Sequence, residues 1–482
     1  MSAQDNDSAA PDAPPPPATI PRLAYLAVAS ALFMEFVDSS ALSTALPTLA
    51  RAFHADPVHL KLALTSYILA LAVFVPLSGW AAERFEARRV FLAAMAVFLL
   101  GSALCGFSHS LPQLVAARII QGMGGALMTP VARLIVVGST PRETLIQAMG
   151  WFTMPALVGP IVGPPLAGLV LQVADWPWIF FLNLPIGLVG MVAVLRLVPR
   201  IVSPHPGSFD WTGFLLAAGA ISGIVVVAET GGLGVLPPAA RIAMVAGALV
   251  CGWTYLGHSK RRSRPILDLS LLRFPTFRVS LMGGTLVRLG VGAGPFLMPL
   301  LLQVGLGWSP LQAGSVTFAG GIGVLCARPA AAPLLRRWGF RTVLLVFGLV
   351  TAVLTALPGI FFRPETPTLL IMAALLAAGF ARSSQFIAAN TIAYADVPRG
   401  SIAAASTLAF VTQQIGLALG VSFGGMMLHL ARGQGQALTP DSFTLPYLAV
   451  GATTLLAAAV YIRLDRDAGA AISGARPADP AA

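Results

Sequence analysis

Fourteen apolar runs, parted by short polar turns, fill nearly all of the chain from Leu23 to Ile462, and nothing else restricts its folding as strongly. A bilayer core is crossed by roughly 20 apolar helical residues, since only backbone that bonds internally is tolerated there. The first six runs are Leu23–Ala45, Leu60–Trp80, Val90–Phe107, Leu114–Val137, Ile146–Val170 and Ile179–Leu197. A pair follows, Trp211–Ala228 and Ile242–Leu256. Six more complete the series: Phe277–Leu302, Leu311–Leu334, Thr342–Phe361, Thr368–Ala393, Ile402–Leu430 and Leu445–Ile462. The eighth run is the shortest, so thirteen spans, or a re-entrant eighth, is the competing count. Charged residues make up only 10% of the chain, against roughly 25% in soluble domains. A soluble fold of this length would have too little polar surface, and disorder requires low hydrophobicity. The expected fold is an all-α integral membrane protein.

The basic residues test the helix count independently, because cytoplasmic loops collect Lys and Arg. With fourteen spans and cytoplasmic termini, one side holds Arg22, Arg84, Arg88, Arg89, Arg142, Arg196, Arg200, Lys260, Arg261, Arg262, Arg264, Arg273 and Arg278. Arg336, Arg337, Arg341, Arg399, Arg463, Arg466 and Arg476 join them, giving twenty. The other side holds five: Arg51, Lys61, Arg241, Arg363 and Arg432. The net charge of +11 therefore reflects topology, and no nucleic-acid partner is expected. The three cysteines, Cys105, Cys251 and Cys326, lie far apart inside apolar runs. They form neither a disulfide framework nor a metal motif. Residues 1–22, with Asp5, Asp7, Asp12 and four successive prolines, lack the basic and small-residue features of a cleaved signal. They are expected to be a disordered cytoplasmic arm.

Two segments repeat at an offset of 253 residues. Gly79 to Leu92 follows the second run and Ala332 to Leu345 follows the tenth. They share Arg84/Arg337, Arg88/Arg341, Val90/Val343 and Leu92/Leu345, with aromatics at Phe85/Trp338. Each follows the second helix of a six-helix block, as in transporters built from duplicated halves. The expected organisation is a cytoplasmic tail (1–22), an N-terminal six-helix bundle (23–198), and an inserted helix pair with a basic linker (199–275). A C-terminal six-helix bundle (276–462) and a second tail (463–482) follow.

This arrangement and four local motifs resemble the major facilitator superfamily, in particular its fourteen-helix drug:proton antiporter branch. The loop containing Gly79, Glu83, Arg84, Arg88 and Arg89 is similar to the superfamily pattern G-x-L-A-D-R-x-G-R-R. Glu83 replaces Asp, and Glu86 replaces a glycine that the second copy keeps as Gly339. The resemblance implies a cytoplasmic gating loop, with Arg337, Gly339 and Arg341 as its counterpart, bracing the two bundles by charge pairing. Because a glutamate is strained in a left-handed turn, a different loop geometry is expected at Glu86. Arg118, Gln121, Gly122, Gly124 and Gly125 resemble R-x-x-Q-G-x-G-x-A. Pro155, Gly159, Pro160, Gly163 and Pro164 resemble the antiporter helix G-P-x-x-G-P-x-x-G-G. Trp176, Trp178, Ile179, Phe180, Asn183, Pro185 and Gly187 resemble W-x-W-I-F-x-I-N-x-P-I-G, the most specific of the four.

Ionisable groups at membrane depth cost at least roughly 2.5–3.5 kcal/mol and are functional candidates. Glu35 and Asp38 are the acids inside a span, three residues apart and so on nearly one face. Asp38 lies in a stretch resembling L-D-x-T-I-V-N-x-A-L-P, which implies a role in proton coupling. Taking Pro47 as the helix end places Asp38 roughly 13 Å deep, and Arg118 lies roughly 9 Å beyond Pro112. In the resembled fold these helices flank one cavity, so Asp38, Glu35 and Arg118 are expected to form the proton-coupling group. A neighbouring guanidinium favours a carboxylate while desolvation favours the neutral acid, so alternating water access would load and unload a proton. A static ion pair joining two helices is the other reading.

Arg133, Arg288, Arg328 and Arg382 complete the intramembrane charges. Arg133 and Arg328 sit near span ends and are expected to snorkel. Arg288 and Arg382 lie deep, and with Gln385, Asn390 and Gln413 they form a candidate substrate site. Five arginines against two acids suit an organic anion or a metal–carboxylate chelate better than a lipophilic cation. Alternatively, the polar residues only join helices to one another.

The leading expectation is a proton-coupled efflux antiporter of small molecules in a bacterial-type inner membrane. An anion exporter is one alternative and an uncoupled uniporter or importer the other. No cofactor, metal or ATPase subunit is expected, since neither lysine lies in a phosphate-binding G-x-x-x-x-G-K-[ST] loop. No catalytic constellation appears, so an enzyme is not expected. The expected partners are a small-molecule substrate and the bilayer.

Overall fold

The computed structural model describes residues 22–141, 144–200, 207–230, 237–432, 437–465 and 467–469. The side chains of Arg22, Ile146, Ala156 and Arg399 fall outside that set. So do the acidic N-terminal arm, most of the C-terminal tail, and Arg142, Arg466 and Arg476.

The described residues are helical and contain no strand. The first half comprises α1 (Arg22–Ala52), α2 (Lys61–Phe74), α3 (Leu77–Phe85), α4 (Ala87–Gly106), α5 (Leu111–Gly138), α6 (Leu145–Val173), α7 (Trp178–Phe181) and α8 (Asn183–Leu197). The inserted pair is α9 (Trp211–Thr230) and α10 (Pro238–Arg261). The second half comprises α11 (Pro275–Leu300), α12 (Pro310–Phe361), α13 (Thr368–Ile392), α14 (Ile402–Arg432) and α15 (Thr444–Tyr461).

Among the described residues, twelve helices are long and apolar enough to cross a membrane, and α2 with α3, bent by 58°, makes a thirteenth. The 52 residues of α12 would extend about 78 Å at 1.5 Å per residue, more than twice a bilayer core. Non-helical backbone at Gly339 divides them into two limbs, which brings the count to fourteen. The chain is a multi-pass membrane protein. The eighth span, α10, has 24 residues and is long enough to cross completely.

Two expectations fail on backbone grounds. Pro47 does not end the first helix, which continues through it to Ala52. Intramembrane prolines are tolerated where neighbours re-satisfy the freed carbonyl. Asp38 therefore lies about 21 Å from that helix end, near the middle of α1. Glu86 does not avoid the left-handed side either. It takes φ 74° and ψ 122°, sharing the positive φ of Gly339 at 69° but not its ψ of 168°. Each loop must leave one helix and start the next within a single residue, and both copies solve this on the left-handed side. Residues other than glycine are held there at a cost of order 1–3 kcal/mol. Glu86→Gly is accordingly expected to raise the unfolding temperature in detergent, and Gly339→Ala to lower it, both read by thermal unfolding.

The helices have an end near Asp56 and an opposite end near Gly339. At the Asp56 end one core joins both halves, packing Leu46, Leu49 and Leu64 with Phe296, Leu300, Ala313, Ile371 and Phe443. At the Gly339 end each half has a core of its own. One gathers Phe91, Phe98, Met128 and Ile135 of the first half; the other gathers Phe340, Phe347, Ala388 and Tyr461 of the second. The halves also share a core on the α9 side, where Ala72 of α2 packs with Leu408 and Val411 of α14. Exposed Ile242, Leu249, Val250 and Trp253 on α10 form part of the apolar belt that faces lipid.

Candidate functional site

Asp38 and Arg118 are the most heavily bonded charges in the first half among the described residues. Arg118 Nη1 donates to Asp38 Oδ2 at 2.5 Å, and both side chains are fully buried. Asp38 Oδ1 accepts from Gln121 Nε2 at 2.8 Å and from Asn183 Nδ2 at 2.7 Å. Arg118 donates further to Gln121 Oε1 at 2.6 Å and to the Ala63 carbonyl at 3.2 Å, and its guanidinium lies 4.3 Å from the Tyr67 ring centre. Asn183 is itself held by Ser102 Oγ at 2.9 Å.

Small residues make this convergence possible. An added Cβ at Gly101 would lie 2.5 Å from the Gln121 backbone, and one at Gly124 would lie 2.5 Å from Phe98 N, so α4 and α5 touch at backbone level. Gly122 meets Tyr67 and Ala70 of α2 in the same way. The glycines of the Arg118 motif therefore seat α5 directly on α2 and α4, and from there Arg118 and Gln121 reach Asp38 of α1. The expected Asp38–Arg118 contact forms. Asn183, which the sequence shows only as part of a signature, belongs in the network as well, a role its position does not reveal.

Glu35 does not join Arg118. One turn along α1, it accepts from Thr129 Oγ1 at 2.9 Å and is 8% exposed. Both acids face the interior of the first half. The other face of α1, bearing Phe36, Ser39, Ser40, Ser43 and Thr44, lines a cavity of about 520 Å³ between the halves. Its remaining walls come from α6, α11, α12, α13 and α15. Among the described residues, Arg382 is the one charged residue in its lining. Asp38 and the cavity thus lie on opposite sides of a single helix.

The candidate substrate residues are not gathered into one site. Arg288 Nη2 donates to Asn390 Oδ1 and Gln413 Oε1, each at 3.3 Å, and its guanidinium lies 5.6 Å from the Phe386 ring. Gln385 is fully buried, beside Gly348, and does not line the cavity. Only Arg382 does. The expected pairing of Arg288 with Arg382 around one ligand is not seen, because Arg288 is held by Asn390 and Gln413 outside the cavity lining to which Arg382 belongs. Arg133 and Arg328 are exposed, as snorkelling side chains should be.

Glu35 and Asp38 are also not the only buried acids. Glu229, at the end of α9, is 2% exposed. Lys61, expected in an outer turn, is fully buried at the start of α2, with Nζ 3.9 Å from Glu229 Oε2. Ser422 of α14 donates to the same carboxylate. Each residue falls at the edge of an apolar run, where a charge reads as a loop boundary.

The antiporter helix packs as its glycines require. Gly159 meets Phe33 and Phe36 of α1, and a Cβ at Gly163 would collide with Ser40 Oγ. On the other side, Gly314 of α12 meets the Pro164 carbonyl, so α6 is wedged between α1 and the second half. Gly163→Ala is expected to destabilise by about 1–3 kcal/mol through overpacking. Adding Ser40→Ala should recover most of this loss, as read by thermal unfolding.

The gating-loop residues do not brace the halves here. Arg88 donates to the Leu195 carbonyl at 2.5 Å and Arg89 pairs with Glu86 at 3.2 Å, both within the first half. Among the described residues no ion pair joins Glu83, Arg84, Arg337 or Arg341 to the opposite half. Trp80 instead donates to the Gly207 carbonyl at 3.2 Å and packs against Phe209 and Trp211, tying the loop to the entry of α9.

Two helical halves around a central cavity, with a buried charge network behind one wall, define a membrane transporter rather than an enzyme. The chain belongs to the Major Facilitator Superfamily, whose profile matches residues 28–284 and again 280–481. A relative from Pectobacterium carotovorum subsp. carotovorum (strain PC1), provisionally named multidrug resistance protein MdtD, is 35% identical over 447 residues, covering 91% of this chain and 95% of its own. A protein of the same provisional name from Cronobacter sakazakii (strain ATCC BAA-894) is 35% identical over 452 residues, covering 91% and 94%. The crystal structure of a mutant of the nucleoside transporter NupG superposes with a TM-score of 0.68 over 91% of this chain and 99% of that one. At 12% identity that likeness concerns the fold alone.

Proposed function

We propose that the protein is a proton-driven exporter of small molecules, including drugs, that works by alternating access in a bacterial inner membrane. The carrying observation is the fully buried Asp38 carboxylate, held by Arg118, Gln121 and Asn183 on the face of α1 opposite the cavity. Protonating Asp38 removes the charge that holds these partners, and α1 is then free to shift. Because the other face of α1 lines the cavity, that shift reaches the substrate. Coupling therefore passes through a helix rather than through contact between proton site and substrate. Glu35, more exposed and one turn away, is the entry point for the proton.

The relatives' names support efflux of drugs. The charge distribution supports an orientation with the Gly339 end and both termini in the cytoplasm. In that orientation the core shared by Leu46, Phe296 and Phe443 closes the halves together on the outside. The proton gradient is the driving force, with no cofactor and no ATPase subunit. The two six-helix bundles, 23–198 and 276–462, are the moving bodies.

A second reading concerns the cargo. Arg382 is the only charge in the cavity lining and no carboxylate joins it there, an arrangement that favours a substrate carrying an acidic group over a purely cationic one. Fluorescence quenching of a pH probe in inside-out vesicles tests both points. The wild type is expected to respond to substrate, and Asp38→Asn is not. A response to cationic dyes alone, with none to di- and tricarboxylates, contradicts the anionic reading. A response that survives Asp38→Asn contradicts the coupling role.

A further inference from the structure

The inserted pair has no part in the cycle described so far. Its second helix, α10, is largely peripheral, with only Ala248 and Tyr255 buried. Its first helix, α9, lies along the seam between α2 of the first half and α14 of the second. Toward the Gly339 end Phe214 meets Phe74 at 6.0 Å. Further along, Ala217 and Ile221 share a core with Ala72, Leu408 and Val411.

At the Asp56 end the contact changes from apolar to charged. The Lys61 stem crosses α14 at Gly425, where an added Cβ would lie 2.5 Å from Lys61 Cδ. Its ammonium then faces Glu229 Oε2 at 3.9 Å, and Ser422 donates to that same oxygen. Three helices from three parts of the chain thus meet on one carboxylate. Lys61 and Glu229 are 0% and 3% exposed at the side chain. Apolar residues of similar volume commonly hold a buried contact as well or better, so stability alone does not account for the charges. A second ion pair, Arg432 Nη1 to Asp56 Oδ2 at 2.6 Å, joins the halves at the same end. It is partly exposed and so more screened.

We propose that Lys61, Glu229 and Ser422 form a latch that holds the two halves together at the Asp56 end, making α9 a working part of that gate rather than a spacer. The proposal rests on the alternating-access reading. When the halves part at this end, Lys61 withdraws through the Gly425 notch and leaves Glu229. An ion pair suits this task because its attraction is specific to one arrangement, whereas apolar contact along the rest of the seam can slide. The latch sets the balance between the two states, and Lys61 and Glu229 are positioning residues that need not touch substrate.

The test measures the distance between spin labels at Arg51→Cys and Glu365→Cys, exposed positions in the first and second halves at this end. Cys251 and Cys326, the accessible native thiols, are replaced by serine, and the full-length protein is studied in nanodiscs over a range of pH. The wild type is expected to show a dominant short distance and a minor long one. Lys61→Met and Glu229→Gln are each expected to raise the long-distance population at least about threefold. The double variant should do no more than the larger single, because both remove the same interaction. Ser422→Ala keeps both charges, avoids the folding risk of an unpaired buried ion, and should shift the same population in the same direction. A folded variant with the wild-type distribution, or a double variant whose effects add, overturns the latch. A wild type with one narrow distance at every pH instead overturns the alternating-access reading, and the latch with it.

Discussion

Asp38→Asn is expected to reduce substrate-driven proton movement to background while the protein still reaches the membrane. Asparagine keeps an acceptor for Gln121 and Asn183 but carries neither charge nor exchangeable acid proton. The substitution also strands Arg118, which is fully buried, and leaving one member of a buried pair unmatched costs about 3–5 kcal/mol. A lower unfolding temperature is therefore expected alongside the functional loss, and the two effects need separating. Adding Arg118→Gln removes the stranded charge and is expected to recover at least half of the lost stability. Proton movement should stay at background, because the titratable group is still missing. If the Asp38–Arg118 pair only fastened α1 to α5, the double variant would regain substrate-driven proton movement with its stability.

The second large effect is expected at Arg382. As the one charge lining the cavity, it offers a carboxylate or phosphonate cargo a hydrogen bond between ions, worth about 1.5–3 kcal/mol. Arg382→Gln should thus lower transport of an anionic substrate about 10- to 100-fold, at about 1.4 kcal/mol per tenfold. Transport of a cationic dye should be unchanged or improved. Competition between the two substrate classes in proteoliposomes measures this directly. An equal loss for both would assign Arg382 to helix packing. Arg288→Gln is the informative control: its guanidinium is already occupied by Asn390 and Gln413, so it should lower stability for every substrate alike.

How far the sequence anticipates this site depends on how local each signal is. Fourteen apolar runs give fourteen spans because hydrocarbon thickness sets span length directly. The Asp38–Arg118 contact is foreseeable because both charges sit deep in runs where an unpaired ion is costly. Their further partners are harder to find. Asn183 is an ordinary polar residue at a span start, and only the close packing of α8 on α4 and α1, at Gly187 and Gly190, brings it within reach.

Lys61 and Glu229 escape a reading of the sequence for a related reason. Each lies at a run edge, and they are separated by 168 residues, with Ser422 a further 193 away. No local periodicity links them. Pro47 misleads because proline usually marks a helix end in water, whereas in a membrane neighbouring helices can replace its missing bond. Depth alone assigns Arg288 and Arg382 to one site. Depth does not fix which way a side chain points, and of the two only Arg382 reaches the cavity lining.

The proposed role of Asp38 is to carry the transported proton and to act on the cavity through α1. It is tested most directly in proteoliposomes holding a pH-sensitive dye, by comparing the wild type with Asp38→Asn/Arg118→Gln. In the wild type, downhill movement of substrate should drive protons the opposite way. The double variant should still exchange substrate downhill while moving no protons. Proton movement at the wild-type rate in a folded double variant would contradict the account.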